Sequence, residues 1–201
     1  MPISHGHNHA SGVYDSTAFF VRHDPSSQEF LFFGDVEPDT ISLKPRTINV
    51  WRAAAAMIPL TLSTIFIECS WPLDRADDSL FGHLSPTHLA DELTALATEV
   101  VAIRKSGVNN PRHDSRPMRK KSKLNPLPLE SLYGVLDGVR VFVTHCKEGN
   151  EVISDRSINH IITDQVRELV EAKRLGAQIL AADQGMRIGA FMLLPPHIPS
   201  H

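Results

Sequence analysis

The chain has 201 residues, of which 42% are hydrophobic, and its formal net charge is −3. This composition indicates a globular domain with a sizeable core and excludes a disordered chain. It also excludes a nucleic-acid interface built on bulk positive charge, so a nucleic acid is not the expected partner. The two cysteines, Cys69 and Cys146, lie in apolar runs and are predicted to be buried free thiols.

No stretch of the sequence is suited to cross a bilayer. The longest apolar-rich run, 53–67, is interrupted by Pro59 and by hydroxyl residues. The first residues include three histidines and do not form a basic segment followed by an apolar one. We therefore expect a cytoplasmic protein without a membrane partner.

Strand and helix patterns alternate along the chain. Short runs rich in β-branched and aromatic residues predict strands at 17–22, 30–33, 63–67, 139–144 and 178–182. Apolar residues at helical spacing predict helices at 46–57, 86–103 and 161–175. Gly176 stands where a glycine commonly ends a helix. The alternation predicts an α/β layer structure.

Some segments are predicted to lack regular structure. Residues 104–128 contain four prolines, a basic cluster and almost no large apolar side chains, so we expect a disordered insertion there. The last residues, 195–201, are expected to form a flexible tail. Residues 1–13 are polar and rich in glycine and histidine, which is also typical of a tail. The remaining expectation is one domain over 1–194.

Three predicted strands lead into a residue that can bind a metal ion or a proton: Asp35, Glu68 and His145. Ligands of open α/β sheets gather outside the carboxyl ends of the strands, so neighbouring strands would bring the three side chains to one edge. Carboxylates and imidazoles together suit Zn²⁺, Mn²⁺ or Fe. Each residue alone is more commonly a turn, capping or hydrogen-bonded polar residue. The three together favour a site.

Two histidines extend this group. His83 stands directly before a predicted helix, in Gly-His-Leu-Ser-Pro at 82–86. Oriented by Glu68, it would be a good general acid, and the alternative is a capping segment with an exposed histidine. His5 opens the tract His-Gly-His-Asn-His, which could bind a metal by itself or belong to a flexible tail.

Five stretches together resemble the class II 3′,5′-cyclic-nucleotide phosphodiesterases, especially the fungal ones. They are Ser-Thr-Ala-Phe-Phe at 16–20, Phe-Gly-Asp-Val-Glu-Pro-Asp at 33–39, Phe-Ile-Glu-Cys-Ser at 66–70, Gly-His-Leu-Ser-Pro at 82–86 and Val-Thr-His at 143–145. The second and fourth stretches are the most specific. The resemblance implies an α/β, metallo-β-lactamase-like fold, a four-layer αββα sandwich with two metal ions at one edge.

The resemblance also implies roles for individual residues. His5 and His145 match metal-binding histidines, and Asp35 matches the carboxylate that bridges both ions. His83 and Glu68 resemble the His–Glu pair of the related tRNA 3′-processing nucleases, in which the histidine protonates the leaving oxygen. The implied reaction is hydrolysis of 3′,5′-cyclic AMP, or alternatively cyclic GMP, to the 5′-monophosphate. The implied cofactors are two divalent ions, expected to be zinc, with manganese or iron as alternatives.

One motif of the superfamily, His-x-His-x-Asp-His, is absent from the 201 residues. We therefore expect an incomplete sandwich, the C-terminal half of a domain whose N-terminal half is missing, with impaired activity in isolation. Two other interpretations stay open. One is a non-catalytic fragment or interaction module, and the other is a different phosphodiesterase or nuclease of the superfamily, in which the basic insertion contacts phosphates. A homodimer also stays open.

Overall fold

The computed structural model describes residues 1–8, 12–73, 75–108, 127–147 and 156–189. These residues form a six-stranded mixed sheet and three α-helices. The strands are β1 (Pro2–Asn8), β2 (Gly12–His23), β3 (Gln28–Phe33), β4 (Leu62–Glu68), β5 (Arg140–Thr144) and β6 (Gln178–Ala181). The helices are α1 (Thr47–Ala55), α2 (Pro86–Val108) and α3 (Ile158–Ala172). The predicted alternation of strands and helices is confirmed.

The order of the strands in the sheet is the order in the chain, from β1 to β6. β1, β2 and β3 pair antiparallel, whereas β3 to β6 pair parallel. Each parallel pair is connected through one helix. Because such crossovers are right-handed and each new strand is added on the same side, the three helices fall on one face of the sheet.

The face under the helices forms the core. One register row across the parallel strands consists of residues that are at most 2% exposed, namely Leu31, Ile65, Val141 and Ile179. On the same face, the rings of Phe33 and Trp51 of α1 lie 4.9 Å apart. The runs that supply this row are continuous in apolar residues, as expected for strands packed against a helix layer.

The opposite face of the sheet carries a line of phenylalanines, which we call the aromatic row: Phe19, Phe32, Phe66 and Phe142, each in register with the next. The rings of Phe66 and Phe142 are stacked, with centroids 5.1 Å apart. Phe19 and Phe32 are exposed. The described residues therefore form two layers, one of helices and one sheet, of the four layers that the resemblance implies.

The first residues do not form the predicted tail. Residues 2–8 are strand β1, in which Ile3 and Ser4 are buried. The side-chain hydroxyl of Ser4 donates to the carbonyl of Lys44, and the backbone carbonyl of Ser4 accepts from Glu37 N–H. A strand with one apolar residue gives no periodic signal, which is why the sequence pattern missed it.

Two helix ends also differ from the prediction. α2 continues to Val108, so 104–108 are helical and not part of a loop. Of the remaining proposed insertion, 127–128 have no regular structure and 109–126 lie outside the described residues, as does the proposed tail 195–201. α3 ends at Ala172, and the left-handed residue that reverses the chain is Arg174, with φ 54°, not Gly176. Leu175 N–H then bonds back to the carbonyl of Val170, which closes the helix end.

Both cysteines are free, as predicted, although Cys146 is only half-buried. Of the helices in the described parts of the chain, none is long and apolar enough to cross a membrane.

Candidate active site

All five predicted site residues meet at the carboxyl edge of the parallel strands. Asp35 follows β3, Glu68 ends β4 and His145 follows β5. His5 comes from β1, and His83 comes from the loop that precedes α2. The parallel direction of β3, β4 and β5 places their ends at one edge, because each crossover returns the chain to the opposite side before the next strand begins.

Asp35 lies between two imidazoles. Its Oδ2 is 3.6 Å from His5 Nε2, and its Oδ1 is 3.8 Å from His145 Nε2. Both distances exceed the range of a hydrogen bond between these atoms. Each carboxylate oxygen thus faces a different histidine across a gap, and all three side chains are partly open to solvent.

A local irregularity of β1 aims His5 at Asp35. The pairing of β1 with β2 shifts register between Ser4 and His7, so His5 and Gly6 lie at a bulge, a feature that commonly redirects a side chain. His5 Nδ1 is 3.0 Å from the carbonyl oxygen of Gly82, which only accepts hydrogen bonds. Nδ1 therefore carries the proton, and the Nε2 lone pair is directed at Asp35.

Two glycines allow the His5 and His83 segments to touch. A Cβ built on Gly82 would lie 2.7 Å from the Cα of Gly6, closer than real Cβ contacts allow. Both glycines also have positive φ, 74° and 80°, a conformation that other residues adopt at a cost. The close approach of the two backbones brings the rings of His5 and His83 to 4.9 Å.

Glu68 is almost fully buried, and each of its oxygens accepts two hydrogen bonds. Oε1 accepts from Val36 N–H at 3.1 Å and from His83 Nδ1 at 2.9 Å. Oε2 accepts from Ser70 Oγ at 2.8 Å and, at 3.4 Å, from Leu84 N–H. A buried carboxylate is tolerated when donors satisfy its lone pairs, so this set of donors explains how β4 can end in a charge.

His83 is held at both ring nitrogens. Because Glu68 acts as an acceptor, Nδ1 carries the proton and Nε2 presents a lone pair. That lone pair accepts from the ammonium of Lys147, with Nζ 2.6 Å away. The ring also stacks on His145, with centroids 5.2 Å apart and planes at 25°. His83 thus has a fixed tautomer and a fixed orientation.

His83 also lies close enough to the metal-binding candidates to be considered a ligand itself. Its ligand atom falls within 4.8 Å of those of His5 and Asp35. Both of its nitrogens are engaged, however, by Glu68 and by Lys147. The Nε2 of His145 has no such partner among the described residues and faces Asp35, so His145 is the better second imidazole.

Ser70 connects the Glu68 network to the His145 segment. Its hydroxyl lies 2.8 Å from Glu68 Oε2 and 3.0 Å from the backbone carbonyl of His145. His145 itself has φ 56°, a conformation that a non-glycine residue adopts only when its surroundings enforce it, and which is common at functional sites. The contact with Ser70 is one such constraint.

The two thiols near the site are protonated at neutral pH when no metal is bound. Burial raises the pKa of Cys69 well above its usual value, and the neighbouring Glu68 adds to this effect. Burial, again with Glu68, raises the pKa of Cys146 to about 12. The ligand-type side chains that converge at the site are imidazoles and the Asp35 carboxylate.

Sequence reasoning missed Ser70, Lys147 and the Gly6–Gly82 contact. Ser70 and Lys147 each lie two residues beyond a predicted site residue, so their proximity to the site could have been inferred. Their partners could not, because side-chain direction after a strand depends on turns that no pattern specifies. The two glycines gave a clearer signal, since each adjoins a site histidine.

A family model described as cAMP phosphodiesterases class-II matches residues 1–185. The chain therefore belongs to the class-II cAMP phosphodiesterase family. A 3′,5′-cyclic-nucleotide phosphodiesterase of Schizosaccharomyces pombe is 44% identical over 101 residues, which cover 50% of this chain and 29% of that protein. The 3′,5′-cyclic-nucleotide phosphodiesterase 1 of Saccharomyces cerevisiae is 28% identical over 177 residues, covering 87% and 39%.

A solved structure, that of unliganded yeast PDE1, is similar with a TM-score of 0.66 and 28% identity. The match covers 92% of this chain and 43% of that one. The predicted α/β, metallo-β-lactamase-like fold class is thereby confirmed. The chain spans less than half the length of each of these relatives.

Proposed function

We propose that this chain provides part of the active site of a phosphodiesterase that hydrolyses 3′,5′-cyclic AMP to the 5′-monophosphate. The observation that carries the proposal is the position of Asp35, with one oxygen toward His5 and the other toward His145, beside the buried Glu68–His83 pair. Family membership supports the phosphodiester chemistry, as do the names of the relatives.

The donor set fits divalent ions. Two ligands of a tetrahedral zinc ion, each about 2.1 Å from the metal, are about 3.4 Å apart, close to the separations of Asp35 from the two histidines. His5 and Asp35 would hold one ion, and His145 and Asp35 the other. Bound ions of this kind, which we expect to be zinc, supply Lewis acidity and lower the pKa of water.

The remaining residues handle the proton. An oxygen derived from water adds to phosphorus and the bond from phosphorus to O3′ breaks. His83 first takes up a proton from solvent at Nε2, which makes the ring an imidazolium, and then gives that proton to O3′. Glu68 accepts the hydrogen bond from Nδ1, so that only Nε2 of the His83 ring gains and loses a proton. Its negative charge also stabilises the imidazolium before the proton is transferred. The Ser70 hydroxyl and two backbone N–H groups hold Glu68 still meanwhile.

The test uses the chain fused behind the segment of a relative that carries His-x-His-x-Asp-His. We expect turnover of cyclic AMP, and losses in kcat on the order of 10²- to 10⁴-fold in Asp35→Ala and His83→Ala. His23→Ala and Asp24→Ala are matched controls, because both residues are exposed at the opposite end of the sheet, and should retain full activity. Undiminished turnover in D35A or H83A would remove the role given to that residue.

The unfused chain should bind divalent ions weakly and turn over little cyclic AMP, since it supplies three of the proposed ligands. Isothermal titration with zinc measures this directly. Two tightly bound ions per 201-residue chain would contradict the proposed impairment. Comparing kcat/KM for cyclic AMP and cyclic GMP in the fused protein decides between the two substrates.

A further inference from the structure

Lys147 lies at the site but has no role in the function proposed above, either in binding metal ions or in transferring the proton. Its ammonium donates to His83 Nε2 at 2.6 Å and lies 5.3 Å from the centre of the Trp71 ring. Its backbone N–H donates to the carbonyl of Ser70, which fixes the start of the side chain. The side chain is half-buried, so its position is set by the protein and not by solvent.

The charge of Lys147 is poorly matched by these contacts. A neutral imidazole and an indole face are weaker partners for an ammonium than a carboxylate. In contrast, Lys173, directly after α3, forms a 2.7 Å ion pair with Asp91, as a surface lysine commonly does. Among the residues that the structure describes, no carboxylate is paired with Lys147. The ammonium is therefore available for an anion at the site.

We propose that Lys147 binds the phosphate group of the nucleotide. The inference rests on the proposed function, in which His83 Nε2 faces the O3′ atom. An ammonium 2.6 Å from that nitrogen is within reach of the other oxygens on the same phosphorus, where it offsets their negative charge. The phosphate also draws the ammonium away from the lone pair of Nε2, which frees this nitrogen to take up the proton that it gives to O3′.

Neighbouring contacts support this direction for the side chain. Arg75 also lies on Trp71, with its guanidinium carbon 3.8 Å from the ring centre, and its Nε donates to the carbonyl of Ser79. Arg75 is thus committed to the loop at 75–79, while Lys147 extends to His83. The ammonium of Lys147 is held between the Trp71 ring and His83, which lowers the entropy lost when an anion binds.

The experiment measures binding without metal or turnover. The 201-residue chain is titrated in EDTA with AMP and with inorganic phosphate, because no ion can then supply the phosphate contact. We expect Lys147→Met to weaken both affinities on the order of 10- to 100-fold, the effect of losing one charged hydrogen bond. Lys147→Arg should bind within about 3-fold of the parent, since it keeps the charge.

Lys105→Met is the matched control, because Lys105 is exposed near the end of α2, and it should bind as the parent does. A denaturant unfolding curve of each variant verifies that the fold is retained. The proposal is overturned if the parent chain binds neither anion, if K147M binds as tightly as the parent, or if K147R is as weak as K147M. None of these results depends on whether D35A or H83A abolishes turnover, so the two proposals fail separately.

Discussion

Glu68 is a buried carboxylate whose four hydrogen-bond donors come from four separate residues: Val36, Ser70, His83 and Leu84. All four donors point at the two carboxylate oxygens of Glu68. A glutamine at this position would replace one of these oxygens with an NH₂ group, which would then face N–H or O–H donors. The same network defines which nitrogen of His83 carries a proton.

We therefore predict that Glu68→Gln lowers the free energy of unfolding by about 2–4 kcal/mol, the cost of leaving buried donors without acceptors. Urea denaturation followed by circular dichroism measures the change. Glu130→Gln is the control, since Glu130 is exposed, and should change stability by less than about 0.5 kcal/mol. A loss in E68Q as small as that in E130Q would show that the network contributes little.

The Gly6–Gly82 contact makes a second residue-scale prediction. Gly82→Ala both strains a φ of 80° and pushes a Cβ against the Gly6 backbone. Gly185→Ala imposes the same strain at φ 82°, but with no atom within 4 Å of the new Cβ. We expect G185A to cost about 1 kcal/mol and G82A to cost at least about 1 kcal/mol more.

Thermal unfolding of the two variants isolates the contact, and the ring resonances of His5 and His83 in an NMR spectrum should shift in G82A only. Equal destabilisation of G82A and G185A would mean that the two backbones can move apart freely.

Asp35, Glu68 and His145 could be predicted from the sequence because the carboxyl ends of parallel strands share an edge, so an apolar run followed by a ligand-type residue is informative. Lys147 could not be predicted in the same way. Its relation to His83 depends on the turn after β5, where His145 has positive φ, and no local pattern determines where the following side chains go.

At the scale of elements, the buried carboxylate of Glu92 connects α2 to α1. Glu92 of α2 accepts from Trp51 Nε1 of α1 at 2.6 Å and from the backbone N–H of Asp39 at 3.0 Å. Asp39 in turn accepts from the first N–H groups of α1, those of Thr47 and Ile48. Two carboxylates thus connect the loop after β3 to both helices.

Burial is the main cause that raises the pKa of Glu92, from 4.5 to about 7. A raised folded-state pKa means that the folded protein holds this proton more tightly than the unfolded chain does. The contribution of Glu92 to the free energy of unfolding is therefore fully present below pH 4.5. It is lost as the pH rises through about 7, which lowers the free energy of unfolding by about 3 kcal/mol in all.

Unfolding free energies of the parent and of Glu92→Gln should accordingly differ by a pH-dependent amount, with the parent losing stability relative to E92Q between pH 4.5 and 7. Glu99→Gln, in the same helix but nearer to solvent, is the control for the substitution itself. A constant difference between parent and E92Q would show that Glu92 stays ionised throughout.

The predicted elements that carry periodic apolar patterns were confirmed, whereas β1 was missed. β1 contains mostly polar and glycine residues and is held by pairing with β2, by contacts of Ser4 and by burial of the single side chain of Ile3. The end of α2 was also missed, because a lack of large apolar side chains after residue 103 argues against burial but not against helix.

At the scale of the whole molecule, the sheet has one covered face and one that carries the aromatic row. Phe19 and Phe32 are 54% and 42% exposed, and Phe30 and Val21 nearby are also open to solvent. Contiguous exposed apolar surface of this kind favours association with other apolar surfaces. The predicted second sheet of the sandwich would cover the exposed end of the row, at Phe19 and Phe32.

We predict that Phe32→Thr reduces binding of a hydrophobic dye such as ANS and slows aggregation, with a change in stability of about 1 kcal/mol or less. Light scattering and dye fluorescence measure both effects. Leu60→Thr removes a side chain that is 81% exposed outside the strands, and should change neither. A reduction in L60T equal to that in F32T would mean that general hydrophobicity, and not the row, causes association.

β1 stands at one edge of the sheet and pairs, among the strands that the structure describes, with β2 alone. Such strands separate from a sheet at a lower free energy than central strands such as β4. His5 therefore reaches the site on an edge strand, while Glu68 ends a central one. A ligand bound by His5 is released when β1 separates from the sheet. The rate of amide hydrogen exchange in β1 should therefore report how often the site loses its ligand.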